Sequence, residues 1–156
     1  MSLNGLSLNG LSLNGLSLNG LSLNGLSLNG LSTQEFSEWF NQDASAHEQL
    51  MRYMVLCAVP AGESRTYTNP ATGLTHAWEG SLGLAPDWAG GTPATELEQQ
   101  VVSGCLAAHA NSYGLHVSIS VLGRGADGVG IPLAPGELDT YAVKESCFFG
   151  NVFQGE

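Results

Sequence analysis

From Ser2 to Leu31 the pentad Ser-Leu-Asn-Gly-Leu repeats six times without a substitution. No other feature constrains the chain as much, because a stretch with no ionisable side chain must find cover for its leucines or leave them in water. Five residues advance about 500° around a helix, so the leucines of a helical repeat would spread over every face. Asn-Gly in every pentad disfavours helix as well. Extended structure fits better: the two leucines flanking each serine share a face, and Asn-Gly supplies a turn that tolerates positive φ. The chain therefore divides into a repeat, 1–31, and a globular part, 32–156.

The pentads resemble the pentapeptide-repeat family, whose chains wind into a four-sided right-handed β-helix. The resemblance makes Leu3, Leu8 and Leu13 central, inward-facing positions. The residue two before each is Met1 or another Leu, bulkier than the family prefers. Six pentads make little more than one such coil, whereas repeat folds need at least about three stacked units. The segment is expected to cap a longer array, to dock on the globular part or on another copy, or to act as a flexible leader. Met1 occupies a leucine position of the repeat, and several leucine codons serve as bacterial starts. The repeat is therefore expected to run on upstream; the alternative is a true start at Met1 followed by repeat expansion.

Composition bounds the rest. The repeat leaves about 125 residues, enough for one domain of ordinary size. All four Lys/Arg and all fourteen Asp/Glu lie in that part, which carries the whole net charge of −10. Such a surface repels nucleic acid and anionic membranes. No apolar run reaches the ~18 residues of a membrane span, and no signal-peptide pattern is visible. A start upstream of Met1 would place the chain in the cell envelope or outside the cell; a true start at Met1 would place it in the cytoplasm.

Along the globular part, Ser32-Thr33-Gln34-Glu35 reads as a capping box with Ser32 as N-cap. Phe36, Trp39 and Phe40 follow at helical spacing, predicting a helix at 33–40. Asp43 opens a second helix at about 45–58, with Leu50, Tyr53, Met54 and Cys57 along it. Residues 65–78 read as short strands around the turn Asn69–Gly73. Residues 80–91, rich in Gly, Pro and Trp, read as irregular. Thr92 as cap and Pro93 at the first position predict a helix that ends near Tyr113-Gly114, with Leu97, Val101, Cys105 and Ala108 as its apolar face. His116 to Val121 alternates as a strand, 123–136 is a glycine-rich loop, and 140–149 reads as a last strand. The class is α+β: a small helix/strand domain behind an extended repeat.

Several blocks resemble uncharacterised bacterial envelope proteins, secreted lipoproteins of the myxobacterial type. They are Leu50-Met51-Arg52-Tyr53 with Cys57-Ala58, Trp78 through Trp88, Val102 through Ala108, Asn111-Ser112-Tyr113-Gly114, and Glu145 through Phe153. The resemblance spans roughly 50–153 and implies an exported, disulfide-bearing domain of unassigned function. It also implies further cysteines beyond the Phe149-Gly150-Asn151 block, hence a chain that continues past Glu156.

Three cysteines leave one thiol over in any disulfide scheme. Cys57 and Cys105 sit on apolar faces of two predicted helices and are candidates for a bridge that would stabilise by roughly 4 kcal/mol. Cys147 would then be unpaired. The alternative is three reduced core thiols. Cys105 and His109 stand at i, i+4, able to present two metal ligands or a thiol–imidazole pair, with His116 near in sequence. Zinc needs three or four ligands, and no Cys-x-x-Cys or His-Glu-x-x-His is present, so neither metal nor cofactor is expected. Cys57 and Cys105 both come late in their helices, where the dipole disfavours thiolate, and no catalytic residue is assigned.

Gly80-Ser81-Leu82-Gly83 lacks the spacing of a nucleophile elbow. The loop Gly123–Gly130 lacks the Lys-Ser/Thr and following helix of a phosphate site. Asp127, Glu137 and Asp139 lack EF-hand spacing, and the pairs Glu96/Glu98 and Glu137/Asp139 read as capping and solubilising groups. Tyr67, Trp78 and Trp88 surround a Gly/Pro-rich stretch and could stack on a sugar or peptide, or finish the core. The reading that follows is a non-enzymatic envelope or surface protein with a structural or binding role. The alternatives are an aromatic-loop ligand-binding module and a Cys/His or metal-dependent hydrolase.

Overall fold

The computed structural model describes residues 6–7, 28–111 and 118–153. Its order is β1 (Leu6–Ser7), α1 (Leu28–Leu31), α2 (Gln34–Gln42), α3 (Ala44–Ala58), β2 (Ser64–Thr68), β3 (Thr75–Glu79), α4 (Pro86–Ala89), α5 (Glu96–His109), β4 (Ala110–Asn111) and α6 (Glu137–Thr140). The antiparallel pair β2–β3 runs from Ser64 opposite Glu79 to Thr68 opposite Thr75, and β1 pairs in parallel with β4. The class is α+β, a small mixed helix and strand domain.

Helix α3 is the centre. Asp43 caps it by accepting the Ala46 N–H at 3.1 Å, and Met51, Met54, Val55, Cys57 and Ala58 are fully buried along it. Helix α2 covers one side with Phe36, Trp39 and Phe40, residues whose i, i+3, i+4 spacing makes a single apolar stripe. Its cap is Thr33, one residue later than the predicted Ser32. The Thr33 hydroxyl accepts the Phe36 N–H at 3.2 Å and donates to the Gly30 carbonyl at 3.0 Å, so one oxygen closes α1 and opens α2. Residues Leu28–Leu31 are helical rather than extended, and Leu31 is buried in the core.

The β2–β3 hairpin turns at Asn69–Gly73. The Gly73 N–H donates to the Asn69 carbonyl at 2.8 Å, Asn69 Oδ1 accepts the Ala71 N–H at 3.0 Å, and Gly73 takes φ +72°. Alternation along each strand buries Tyr67 and Trp78.

Residues 81–85 carry no regular structure yet have a defined task. The amides of Ser81, Leu82, Gly83, Leu84 and Ala85 donate to carbonyls at the end of α3: Val59, Leu56, Val59, Cys57 and Ala58, at 2.8–3.2 Å. A buried helix C-terminus must find donors for its last carbonyls, and this strap supplies them. Gly80 enters the strap where a Cβ would sit 2.7 Å from Val59 Cγ1 and closer still to the Pro60 carbonyl, so no larger residue fits.

Helix α5 starts three residues later than Thr92 predicts, at a capping box formed by Thr95 and Glu98. Its buried face is Glu98, Val102, Cys105, Leu106 and His109, while Leu97 is 53% exposed. That face is rolled by about one residue from the predicted one, because the Glu98 side chain is drawn inward to α4. The helix closes at His109, and its predicted end at Tyr113-Gly114 lies outside the described residues. Of the strand expected at 116–121, residues 116–117 lie outside them too, and 118–121 pair with no strand. The strand expected at 140–149 does not form. Thr140 ends α6, and 141–149 is exposed and, among the described residues, has no strand to pair with. Residues 151–153 return to α5, where Asn151 Nδ2 donates to Gln99 Oε1 at 3.0 Å and the Val152 N–H donates to Ser103 Oγ at 3.0 Å.

Candidate functional site

The chemically richest point lies between α3 and α5. Cys57 comes from the last turn of α3; Cys105 and His109 lie one turn apart on α5. The two sulfurs are bonded at 1.97 Å, with Cα atoms 6.1 Å apart. All three side chains are buried, and one donor atom from each lies within 4.8 Å of the others. Among the described residues no other set of three His, Cys, Asp or Glu side chains converges in this way.

His109 Nδ1 lies 2.8 Å from the Cys105 carbonyl and 3.8 Å from Cys105 Sγ. A carbonyl only accepts, so the proton belongs on Nδ1 and the lone pair on Nε2. Nε2 is buried and has no hydrogen-bond partner among the described residues. Burial pushes the imidazole below its ordinary range, against a smaller upward pull from the Cys105 carbonyl, so the ring is neutral at physiological pH. Beside it, ring centroids 5.5 Å away, stands Tyr53 of α3. Its phenol oxygen is also buried without a partner, and burial raises its pKa against the opposing charge of Arg52. The arrangement is a closed disulfide flanked by a neutral imidazole and a neutral phenol. With both sulfurs bonded to each other, neither is a nucleophile.

The third cysteine, Cys147, is a free and exposed thiol. His116, considered beside Cys105 and His109, lies outside the described residues.

The aromatic candidates take the core alternative. Tyr67, Trp78 and Trp88 are 5%, 1% and 2% exposed and belong to the core. Tyr67 meets Phe36 edge-on at 4.8 Å and donates its hydroxyl hydrogen to Ser37 Oγ at 3.2 Å; Trp88 meets Phe153 edge-on at 5.4 Å. Rings enclosed to this degree present no face to a sugar or peptide. Composition marks such residues as large and apolar but cannot say on which side of a loop they fall.

Of the acidic candidates, Glu98 is the one sequence reasoning undervalued. It is 1% exposed, and both of its carboxylate oxygens are engaged. Oε1 takes the N–H groups of Asp87 and Trp88 at 2.8 and 3.2 Å, and Oε2 takes the N–H and hydroxyl of Thr95 at 2.9 and 3.1 Å. One side chain thus caps α5 and pins the first turn of α4. Glu137 accepts from the Ala134 N–H at 2.8 Å and from Ser120 Oγ at 2.7 Å. Asp127 turns inward on its own loop, accepting the Val129 N–H at 2.9 Å, and Asp127, Glu137 and Asp139 do not converge on a cation site. The Gly123–Gly130 loop closes on itself through the Gly125 N–H to the Val129 carbonyl at 2.8 Å and a bridge between Arg124 and Gly130.

Among the described residues no helix is long and apolar enough to cross a membrane. Fold and site together define a small α+β domain tied by a buried disulfide. Comparison with protein-family models, curated proteins and solved structures finds no match to this chain.

Proposed function

We propose that the chain is a non-enzymatic domain of an exported envelope or surface protein, with a structural or binding role. The observation that carries this reading is the Cys57–Cys105 bond at the centre of the core. Disulfides of this kind form and persist where thiols are not kept reduced, outside the cytosol. The resemblance of residues 50–153 to secreted lipoproteins supports the same compartment. The strongly acidic charge supports partners other than nucleic acid. Exposed apolar side chains along the C-terminal stretch, with Val143 at 77% and Phe149 at 92%, favour a binding role over a purely structural one.

The test is differential alkylation of thiols in the chain as its own cells hold it, read by mass spectrometry before and after reduction. One alkylated cysteine before reduction, Cys147, and three after is the expected result. Three alkylated cysteines before reduction would place the chain in a reducing compartment and remove the basis for export.

A further inference from the structure

The α3–α5 contact holds more than a disulfide needs. A structural bridge requires two sulfurs and inert packing around them. Here an imidazole stands one helical turn from Cys105, its Nδ1–H fixed on a backbone carbonyl and its Nε2 buried with no partner. An imidazole held in one tautomer by a carbonyl is the usual outer arrangement of a histidine that ligates a metal. An orphaned buried lone pair costs stability unless something is meant to meet it.

We propose that the reduced chain binds one Zn²⁺ through Cys57 Sγ, Cys105 Sγ and His109, so that disulfide and metal are alternative occupants of the same site. Two thiolates and an imidazole are a donor set suited to zinc, with bonds of about 2.3 Å to sulfur and about 2.0 Å to nitrogen. Tetrahedral bonds of those lengths set the two sulfurs about 3.7 Å apart. One ligand atom from each residue already lies within 4.8 Å of the others, on a backbone whose cysteine Cα atoms are 6.1 Å apart. Once the S–S bond is open, rotation of the side chains sets the sulfur pair at the tetrahedral spacing and turns the imidazole to present Nε2. The fourth position is left to a water.

The exchange balances. A phosphine reductant gives two electrons to the S–S bond and takes oxygen from water, leaving two thiols and a phosphine oxide. Zn²⁺ then displaces the two thiol protons to solvent. In reverse, a small-molecule disulfide accepts two electrons and two further protons are made up from solvent as its thiols form, while Cys57–Cys105 closes and Zn²⁺ leaves. The proposal does not depend on export: it states what the site does wherever the disulfide is opened.

The test uses the full chain carrying Cys147→Ser, so that the exposed thiol neither ligates nor exchanges. After anaerobic reduction with tris(2-carboxyethyl)phosphine, Co²⁺ is titrated as a spectroscopic probe while circular dichroism monitors the fold. Expected are a thiolate-to-cobalt charge-transfer band and intense tetrahedral d–d bands saturating at one equivalent, both erased by Zn²⁺. His109→Ala should weaken Co²⁺ binding about tenfold or more, and Cys57→Ser with Cys105→Ser should abolish it. A reduced, folded chain without these bands, or bands that survive the double serine variant, overturns the proposal. If reduction unfolds the chain, Zn²⁺ should restore its circular dichroism, as metal binding and folding are then one event; no recovery with Zn²⁺ overturns it equally.

Discussion

The amide of Leu84 donates to the carbonyl of Cys57 at 3.0 Å, and the carbonyl of Leu84 accepts from the amide of Ala126 at 3.0 Å. One residue of the strap thus links the disulfide-bearing turn of α3 to the loop at 123–130. The strap ends α3 with main-chain donors from a distant part of the chain. Its entrance at Gly80 is where the fold tolerates least.

Gly80→Ala is expected to destabilise the domain by roughly 1–3 kcal/mol, since a Cβ there meets Val59 and Pro60 backbone and side-chain atoms that cannot move aside together. Urea unfolding measures it. A midpoint equal to that of the parent would show that the strap yields.

Glu98→Gln keeps the shape of the side chain but turns an NH₂ group toward donors. An amide nitrogen cannot accept, so one of the two oxygen positions no longer serves the N–H and hydroxyl groups that face it. In a buried site a cost of roughly 2–4 kcal/mol is expected, together with a changed environment for Trp88. Tryptophan fluorescence and chemical unfolding read the two effects. Stability loss without a fluorescence change would confine Glu98 to capping α5.

Opening the disulfide by Cys57→Ala with Cys105→Ala is expected to remove about 4 kcal/mol, the loop-closure entropy of a separation of 48 residues. The measurement is the unfolding free energy of the double variant against the parent under non-reducing conditions. The same comparison made in reductant should show little difference, which separates the bridge from the side-chain packing.

Glu137 is held below its ordinary value of 4.5, first by the Ala134 N–H and then by the Ser120 hydroxyl. A carboxylate depressed in the folded state binds fewer protons there than in the unfolded chain, so its support for α6 is whole above about 4.5 and is lost as the pH falls through the lower folded value. The carboxyl carbon resonance of Glu137 should titrate below 4.5, and Ser120→Ala should move the midpoint up without restoring it fully. An unmoved midpoint would assign the whole effect to Ala134.

Helices α2 and α3 are legible because capping residues and apolar period coincide: Ser32-Thr33, of which the second proves to be the cap, or Asp43, before a stripe that repeats every three to four residues. The hairpin was legible because Asn69 and Gly73 carry turn chemistry in their side chains or in the lack of one. The strap was not, because amides that donate to distant helix carbonyls leave no mark on side-chain pattern. The stretch 140–149 shows the opposite failure: its residues suit a strand, but a strand also needs a partner, which is a tertiary fact. At the site, Cys105 and His109 announced themselves by spacing along one helix. The third member arrives from α3, so the trio exists only once the helices pack. Tyr67, Trp78 and Trp88 were ambiguous because loop position and burial are independent properties of an aromatic residue.

Seen as a polymer, the Cys57–Cys105 bond turns the middle of the chain into a covalent ring with two tails. The hairpin, the strap, α4 and the first turns of α5 all lie within the ring. A protease that cuts the exposed turn at Pro70–Gly73 therefore leaves one molecule of unchanged mass apart from the added water, and the nick shows only after reduction. A cut in the exposed stretch 141–149 severs the tail that carries Phe153 to Trp88. The two kinds of damage differ in consequence: the ring survives a break that the tail does not.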